Sequence, residues 1–245
     1  MEKEIKIQTN DGHLIYGTLN YMQDSCSKLI VFVHGLSDNK DHRLVFNASK
    51  FFKTKGFHTL RISLYSDEKK ARILEECSIG TFVEDINSVI DEFSGKYEKI
   101  FICCHSLGFV VLDCDLKNVT SLILWDPSLA LRKERIENIK YYPELKSYMI
   151  NWGVSFIVGK QLKIDWENIN ETRLLKNLTK PCAIFMAEKN NFKLGWKKNL
   201  EYLKSRNIYK EIKGASHDFT EEGKEDELFG ESLKWINSFK DASRT

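Results

Sequence analysis

A serine near the middle of the chain stands in a pattern typical of a reactive nucleophile. Ser106 lies in the stretch His-Ser-Leu-Gly (105–108), directly after the apolar run 99–104 and directly before a segment with helical spacing. A strand that turns sharply into a helix projects such a serine hydroxyl at the helix N-terminus, where the dipole stabilises negative charge. The turn requires small flanking side chains, which Gly108 and Cys104 provide, although glycine is more usual than Cys104. An ordinary N-cap serine is the alternative, and the position between strand and helix favours the nucleophile.

A hydroxyl nucleophile needs a general base, and histidine is the side chain that most often fills this role. Of the six histidines, only His217 follows the last predicted strand (207–213) and precedes the last predicted helix (227–240). Its loop can therefore reach back over the sheet toward Ser106, although a surface-loop histidine is the alternative. His105 lies inside the turn itself, and we expect it to pack in the interior rather than face a pocket.

Another strand end carries the pair His34 and Gly35, directly after the apolar run 28–33. The glycine permits a tight turn that directs the next backbone amide inward. We expect the backbone amides of Leu36 and Leu107 to form an oxyanion hole together, which acyl transfer requires.

Predicted strands and helices alternate along most of the chain and place these residues at strand ends. An Asp-Gly pair between two alternating runs predicts a β-hairpin over 4–21. Because strand–helix units then repeat, we expect an α/β fold with a mostly parallel central sheet and helices on both faces. The predicted strands after the hairpin are 28–33, 57–64, 99–104, 120–125, 182–187 and 207–213.

The alternation stops between residues 127 and 180. We interpret about 127–178 as a short helical cap, inserted into a single domain that covers residues 1–245. Aromatic side chains are frequent in this segment, and each either anchors the cap to the body of the domain or lines an acyl pocket. They are Tyr141, Tyr142, Tyr148, Trp152, Phe156 and Trp166.

These motifs, in their order along the chain, resemble the α/β-hydrolase superfamily. The resemblance rests on strand-His-Gly (34–35), strand-His-Ser-Leu-Gly (105–108) and Gly-x-x-His (214–217) before a C-terminal helix, and it covers essentially the whole chain. It is greater to small intracellular esterases, lipases and acyl peptidases than to secreted lipases. The resemblance implies a serine hydrolase that forms an acyl-enzyme from a small-molecule carboxylic ester or thioester and needs no cofactor.

The motifs leave more than one candidate for the acid of the expected triad, because the chain departs from the superfamily pattern. The acid usually follows the strand at 182–187, where this chain has Asn190 and, nearby, Glu188. Asp126 directly follows the strand at 120–125, and some superfamily members place the acid there. We therefore expect Asp126 to orient His217, with Asn190 or Glu188 as alternatives and a simple turn before proline as another.

Composition excludes several other classes of protein. Lys and Arg total 37 against 35 for Asp and Glu, which is too balanced for a nucleic-acid-binding face. No run of about 18 apolar residues exists, so we expect no membrane span. The charged start at residues 1–4 predicts no signal peptide, and six cysteines without CxxC spacing predict reduced thiols and a cytoplasmic location. No metal-ligand pattern and no GxGxxG loop is present, so we expect neither metal nor cofactor.

Two other functions remain compatible with the same sequence. One is a non-catalytic protein of this fold that binds a small molecule, because asparagine stands at the usual acid position. The other is an acyltransferase or peptidase that uses the same serine, histidine and backbone amides on a different acceptor or bond.

Overall fold

Strands and helices alternate along most of the molecule. The computed structural model describes residues 1–23, 25–128, 139–151 and 154–239. The strands are β1 (Glu2–Gln8), β2 (Leu14–Asn20), β3 (Lys28–Val33), β4 (His58–Ser63), β5 (Lys99–His105), β6 (Ser121–Trp125), β7 (Ile139–Tyr142), β8 (Ser147–Asn151), β9 (Ser155–Val158), β10 (Cys182–Ala187) and β11 (Asn207–Ile212). The α-helices are α1 (Arg43–Thr54), α2 (Ile79–Phe93), α3 (Lys160–Asn168), α4 (Glu171–Asn177), α5 (Phe192–Asn199) and α6 (Lys224–Asn237). Short 3₁₀ helices cover Leu74–Glu76, Ser106–Asp113 and Leu200–Tyr202.

Eight of the described strands form one sheet, in the order β1-β2-β4-β3-β5-β6-β10-β11. β1 and β2 are antiparallel, with Glu4 opposite Thr18, which confirms the predicted hairpin, and β2 is antiparallel to β4. From β4 to β11 all neighbours are parallel. The carboxyl ends of these strands therefore lie along one edge of the sheet, which confirms the predicted α/β class and brings the strand-end residues together.

Helices cover both faces of this sheet, as predicted. Alternate residues of β3 separate into two apolar layers: Val31 packs in the layer of α2, and Phe32 packs in the layer of α1 and α6. In the second layer the ring centroids of Phe52 and Phe229 are 6.3 Å apart, so α1 and α6 contact each other directly. The buried stripe of α2 recurs at the spacing of one helix face and consists of Phe82, Ile86, Val89, Ile90 and Phe93.

The segment between β6 and β10 packs on the α2 side of the sheet. It contains α3 and α4, as a helical cap predicts, and also an antiparallel sheet of β7, β8 and β9 that the sequence analysis did not anticipate. Ile150, Val158 and Leu162 are buried in the same apolar layer as α2. The carboxylate of Asp165 in α3 also accepts a hydrogen bond from the backbone N–H of Ile79 at 3.1 Å, at the start of α2. Burial and a polar contact therefore both hold this segment on the body.

The aromatic residues of this segment divide between the surface and the interior. Tyr141 and Tyr142 are exposed, and Trp152 lies outside the described residues. The others are partly buried against the α2 layer, which is the contact expected of anchors: Tyr148, Phe156 and Trp166. The cap boundaries at about 127–178 and the assignment of residues 1–245 to one domain stay predictions.

None of the helices in the described ranges is long and apolar enough to cross a membrane. All six cysteines lie in the described residues, and all six are free thiols. Burial raises the pKa of the Cys182 thiol to about 12, so this thiol stays protonated and unreactive at neutral pH.

Candidate active site

β5 leads directly into a tight turn at Ser106. Its φ of 53° lies in the left-handed region that residues other than glycine seldom adopt, as a nucleophile elbow requires. A Cβ at Gly108 would lie 2.7 Å from the Cβ of Cys104 and 3.2 Å from the backbone oxygen of Val33, so only glycine fits there. The chain therefore makes a tight turn at Ser106, and the role of this turn as a nucleophile elbow stays a prediction.

The helix after the elbow is wound more tightly than an α-helix. The spacing after Ser106 predicts a helix, and the helix that forms over Ser106–Asp113 is a 3₁₀ helix rather than an α-helix. Every residue from 106 to 112 is buried, so packing on all sides rather than one apolar face determines how this segment winds.

His217 lies between Ser106 and Asp126, although the three residues are far apart in sequence. Its Nε2 is 2.9 Å from the hydroxyl oxygen of Ser106, and its Nδ1 is 2.6 Å from Oδ2 of Asp126. Since an ionised carboxylate can only accept, Nδ1 carries the proton that donates to Asp126. The lone pair of Nε2 is then free to accept the hydroxyl proton of Ser106. This arrangement can remove a proton from the serine.

Asp126 is fully buried at the end of β6 and is held on both of its carboxylate oxygens. Oδ1 accepts a hydrogen bond from the backbone N–H of Ala187 at 2.9 Å, and Oδ2 accepts from His217 and from the side chain of Asn190. The backbone N–H of Asp126 donates to the carbonyl of Phe185 at 2.7 Å. The two backbone contacts come from β10, the neighbouring strand, and with the side chain of Asn190 they fix the carboxylate against the imidazole.

The two alternatives for the acid have different positions. Nδ2 of Asn190 lies 2.6 Å from Oδ2 of Asp126 and 3.1 Å from Nδ1 of His217, so this side chain stands beside the same carboxylate and ring. Glu188 instead accepts a hydrogen bond from the backbone N–H of Gly214 at 2.8 Å. Glu188 therefore fixes the turn that precedes His217, whereas Asn190 contacts Asp126.

The loop after β3 approaches the nucleophile closely. A Cβ at Gly35 would lie 3.0 Å from the Cβ of Ser106, which explains the need for glycine. The His34 ring accepts the backbone N–H of Leu64 at Nε2 (3.1 Å), so its Nδ1–H donates to the carbonyl of Gly35 (2.7 Å). Burial lowers the pKa of His34 to about 4 and keeps this tautomer neutral.

This hydrogen bond determines the orientation of the peptide that joins Gly35 to Leu36. In a trans peptide the C=O and N–H point in opposite directions, so holding the carbonyl of Gly35 on His34 directs the amide of Leu36 the other way. Leu107, the second residue of the 3₁₀ helix, would supply the other amide. The pairing of these two amides as an oxyanion hole stays a prediction.

Several polar side chains that the sequence motifs do not single out lie around His105 and His217. Oδ2 of Asp38 lies 3.9 Å from Nδ1 of His105, and Oδ1 lies 3.6 Å from Nε2 of His42. Burial raises the pKa of Asp38 above its usual value. On the other side, Oδ1 of Asp218 lies 3.9 Å from Nε2 of His105. The i,i+4 spacing of Asp38 and His42 was the one sequence signal for this group.

One group of side chains in the described residues brings three potential metal ligands within 4.8 Å of one another, namely His105, His217 and Asp218. Both ring nitrogens of His217 already contact Ser106 and Asp126, and Nε2 of His105 contacts a backbone carbonyl. A metal ion there would have to displace these hydrogen bonds. The expectation of a site without metal or cofactor stays a prediction.

The chain is similar to several solved structures over nearly its whole length. Est1E from Butyrivibrio proteoclasticus, with ferulic acid bound, gives a TM-score of 0.77 at 16% identity, covering 95% of this chain and 99% of that one. The esterase domain of a Rhodothermus marinus protein gives 0.73 at 15% identity, covering 96% and 98%. The α/β hydrolase GrgF from Penicillium sp. sh18 gives 0.78 at 14% identity, covering 97% and 98%.

No protein-family model and no curated protein matches the sequence. At identities of 14–16% the superpositions establish a shared architecture rather than a shared activity. The order of the eight strands, the elbow at Ser106 and these superpositions agree with one another, and the chain has the fold of the α/β-hydrolase superfamily.

Proposed function

We propose that the protein is a serine hydrolase that cleaves a carboxylic ester or thioester. One observation carries this proposal: the unbroken line of hydrogen bonds from Ser106 through His217 to the buried carboxylate of Asp126. The naming of structural neighbours as esterases and α/β hydrolases supports the same reaction class.

In the first half of the reaction, Oγ of Ser106 attacks the acyl carbon and its proton passes to Nε2 of His217. The negative charge that develops on the substrate oxygen is stabilised by the backbone amides of Leu36 and Leu107. The buried carboxylate of Asp126 stabilises the imidazolium. The imidazolium then protonates the leaving alcohol or thiol as the bond to the acyl carbon breaks.

In the second half, water attacks the acyl-enzyme and His217 removes the proton of that water. The tetrahedral intermediate collapses, Ser106 regains its proton from His217, and the carboxylic acid leaves. An acceptor other than water would turn the same steps into acyl transfer.

We also propose a cytoplasmic location, which the six free cysteines support.

Labelling with a fluorophosphonate probe tests the proposal, because a base-activated serine reacts with the probe and an N-cap serine does not. We expect one adduct, on Ser106, located by mass spectrometry of the labelled peptide. Ser106→Ala should abolish labelling, whereas Ser66→Ala, a change in the partly exposed loop after β4, should leave labelling unchanged. An adduct on another residue, or none on the wild type, contradicts the catalytic proposal and favours a binding protein.

A series of p-nitrophenyl esters of increasing chain length then measures the size of the acyl pocket. Hydrolysis of at least one member by the wild type, and loss of this hydrolysis in Ser106→Ala, are the expected results.

A further inference from the structure

His105 is the residue before the nucleophile, and it contacts the loop that carries the base. It is the last residue of β5 and only 2% exposed. Its Nε2 lies 3.0 Å from the backbone carbonyl oxygen of His217, and the two imidazole rings have centroids 4.5 Å apart. Ser106 and His105 are consecutive in the chain, so two successive residues contact the same histidine, Ser106 at its side chain and His105 at its backbone.

The contact fixes which ring nitrogen of His105 carries the proton. A carbonyl oxygen can only accept, so Nε2 of His105 must donate. Among the residues that the structure describes, Nδ1 has no hydrogen-bond partner, and the nearest carboxylate oxygen, from Asp38, is 3.9 Å away. A single proton on Nε2 makes the ring neutral, and burial lowers the pKa of His105 in agreement with this.

In the described part of the chain, the charged and titratable groups around this ring are Asp38, His42, His217, Asp218 and His34. The ring of His42 stacks parallel to His105 with centroids 6.4 Å apart. A neutral His105 ring avoids charge repulsion when His217 becomes an imidazolium during the reaction. A positive charge on His105, whose ring centroid is 4.5 Å from that of His217, would raise the free energy needed to form the imidazolium.

Other hydrogen bonds of the His217 loop lead elsewhere. Gly214 is bound to Glu188 and Ala215 to Lys189, both after β10, while the carbonyl of Asp218 accepts from Arg43 of α1. These contacts hold the loop against the chain after β10 and against α1, and none of them joins it to β5. The hydrogen bond from His105 to the carbonyl of His217 makes that connection.

We propose that His105 is a positioning residue: its buried, neutral Nε2–H holds the backbone of His217 to β5 and so keeps the base within hydrogen-bond reach of Ser106. The proposal rests on the proposed serine-hydrolase function. It assigns His105 a role beyond the packing that the sequence predicted, and it requires the donor rather than only the volume of the side chain.

This role is tested by substitutions that remove the N–H donor of His105 but keep a side chain of similar volume, and by one that keeps a donor. His105→Phe and His105→Leu keep a buried apolar group without the N–H, whereas His105→Gln keeps a donor near the position of Nε2. We expect both apolar variants to lower kcat for a p-nitrophenyl ester about tenfold, with KM within about twofold of wild type. His105→Gln should recover most of the loss. His58→Phe is the matched control, because it removes a buried histidine that contacts the backbone carbonyl of Gln23 at the opposite end of the sheet, and its kcat should stay within about twofold of wild type.

Nuclear magnetic resonance provides readouts that do not depend on turnover. The wild type should show His105 as the neutral Nε2–H tautomer at pH 7, and a sharp downfield signal for Nδ1–H of His217 that broadens in the apolar variants. A protonated ring or the opposite tautomer of His105 overturns the proposal even if no variant folds. Equal losses of kcat in His105→Gln and His105→Phe, or kcat within twofold of wild type in His105→Phe, also overturn it. If the wild type neither hydrolyses esters nor is labelled at Ser106, the serine-hydrolase proposal fails, and the His217 signal still decides the positioning role.

Discussion

Asp126 rather than Asn190 should act as the acid that orients His217, and Asp126→Asn tests this most directly. The buried carboxylate lies 2.6 Å from Nδ1 of His217 and is held by the backbone N–H of Ala187. An amide in its place removes the negative charge that stabilises the imidazolium and can turn an N–H toward Nδ1, which favours the wrong tautomer. We expect kcat to fall by about 10⁴, equivalent to about 5 kcal/mol, with the protein still folded.

Asn190→Ala is the comparison, because Asn190 donates a hydrogen bond to the carboxylate of Asp126 and does not itself act as the acid. It removes one hydrogen bond to a charged oxygen, the 2.6 Å contact with Asp126. We therefore expect a much smaller loss of kcat, roughly 10- to 100-fold. In the double variant, Asp126→Asn is combined with Asn190→Asp. The new carboxylate then replaces the amide of Asn190, whose nitrogen lies 3.1 Å from Nδ1 of His217. It should regain at least about tenfold over Asp126→Asn alone.

The measurement is kcat at saturating p-nitrophenyl ester, with circular dichroism and thermal melting to show that each variant is folded. Asp115→Asn, which changes an exposed carboxylate paired with Lys117, is the control and should stay near wild type. Near-full activity in Asp126→Asn together with inactivity in Asn190→Ala would refute the assignment of the acid. Full activity in both variants would point to Glu188 as the acid or to a site that works without one, and the activity of Glu188→Gln distinguishes these two cases.

Three further predictions concern stability and redox state. Gly108→Ala places a Cβ 2.7 Å from Cys104, so we expect about 1–3 kcal/mol of destabilisation in urea unfolding and a lower kcat. Gly230→Ala in α6, where nothing lies within 4 Å, should instead gain about 0.5–1 kcal/mol, and a loss there would contradict the packing argument. Because burial lowers the pKa of His34 to about 4, protonation favours the unfolded chain, and the free energy of unfolding should fall by about 3 kcal/mol from pH 6.5 to pH 4. His34→Asn should lack this component, and an equal pH dependence in both proteins would disprove it. Dithiothreitol should change neither activity nor melting temperature, since all six cysteines are free; a drop of many degrees would reveal a disulfide.

Local signals were sufficient to locate the strand-end residues. Ser106, His34 and His217 each stand beside a continuous apolar run or before a helix, and such runs predict buried parallel strands from nearby residues alone. Their meeting at one edge of the sheet then follows from the parallel topology.

The contacts between strands could not be predicted in the same way. Asn190 meets Asp126 because β10 pairs directly with β6, and this pairing joins residues that are distant in sequence. The hydrogen bond of His105 to His217 depends on the path of a loop that no local pattern specifies. In the cap, β7 and β9 have four residues each, too few for alternation to distinguish a strand from a turn.

The position of β11 at the end of the sheet has a consequence for how the site is lost. β5 and β6 have hydrogen-bonded neighbours on both sides, whereas β11, whose following loop carries His217, has β10 as its one partner among the described strands. Strands at a sheet edge open by local fluctuations of lower free energy than central strands do, and amide hydrogen exchange detects these openings. We therefore expect openings of β11 to separate the base from Ser106 while the centre of the sheet stays intact. Heating should then break the contact between base and nucleophile before it melts the core.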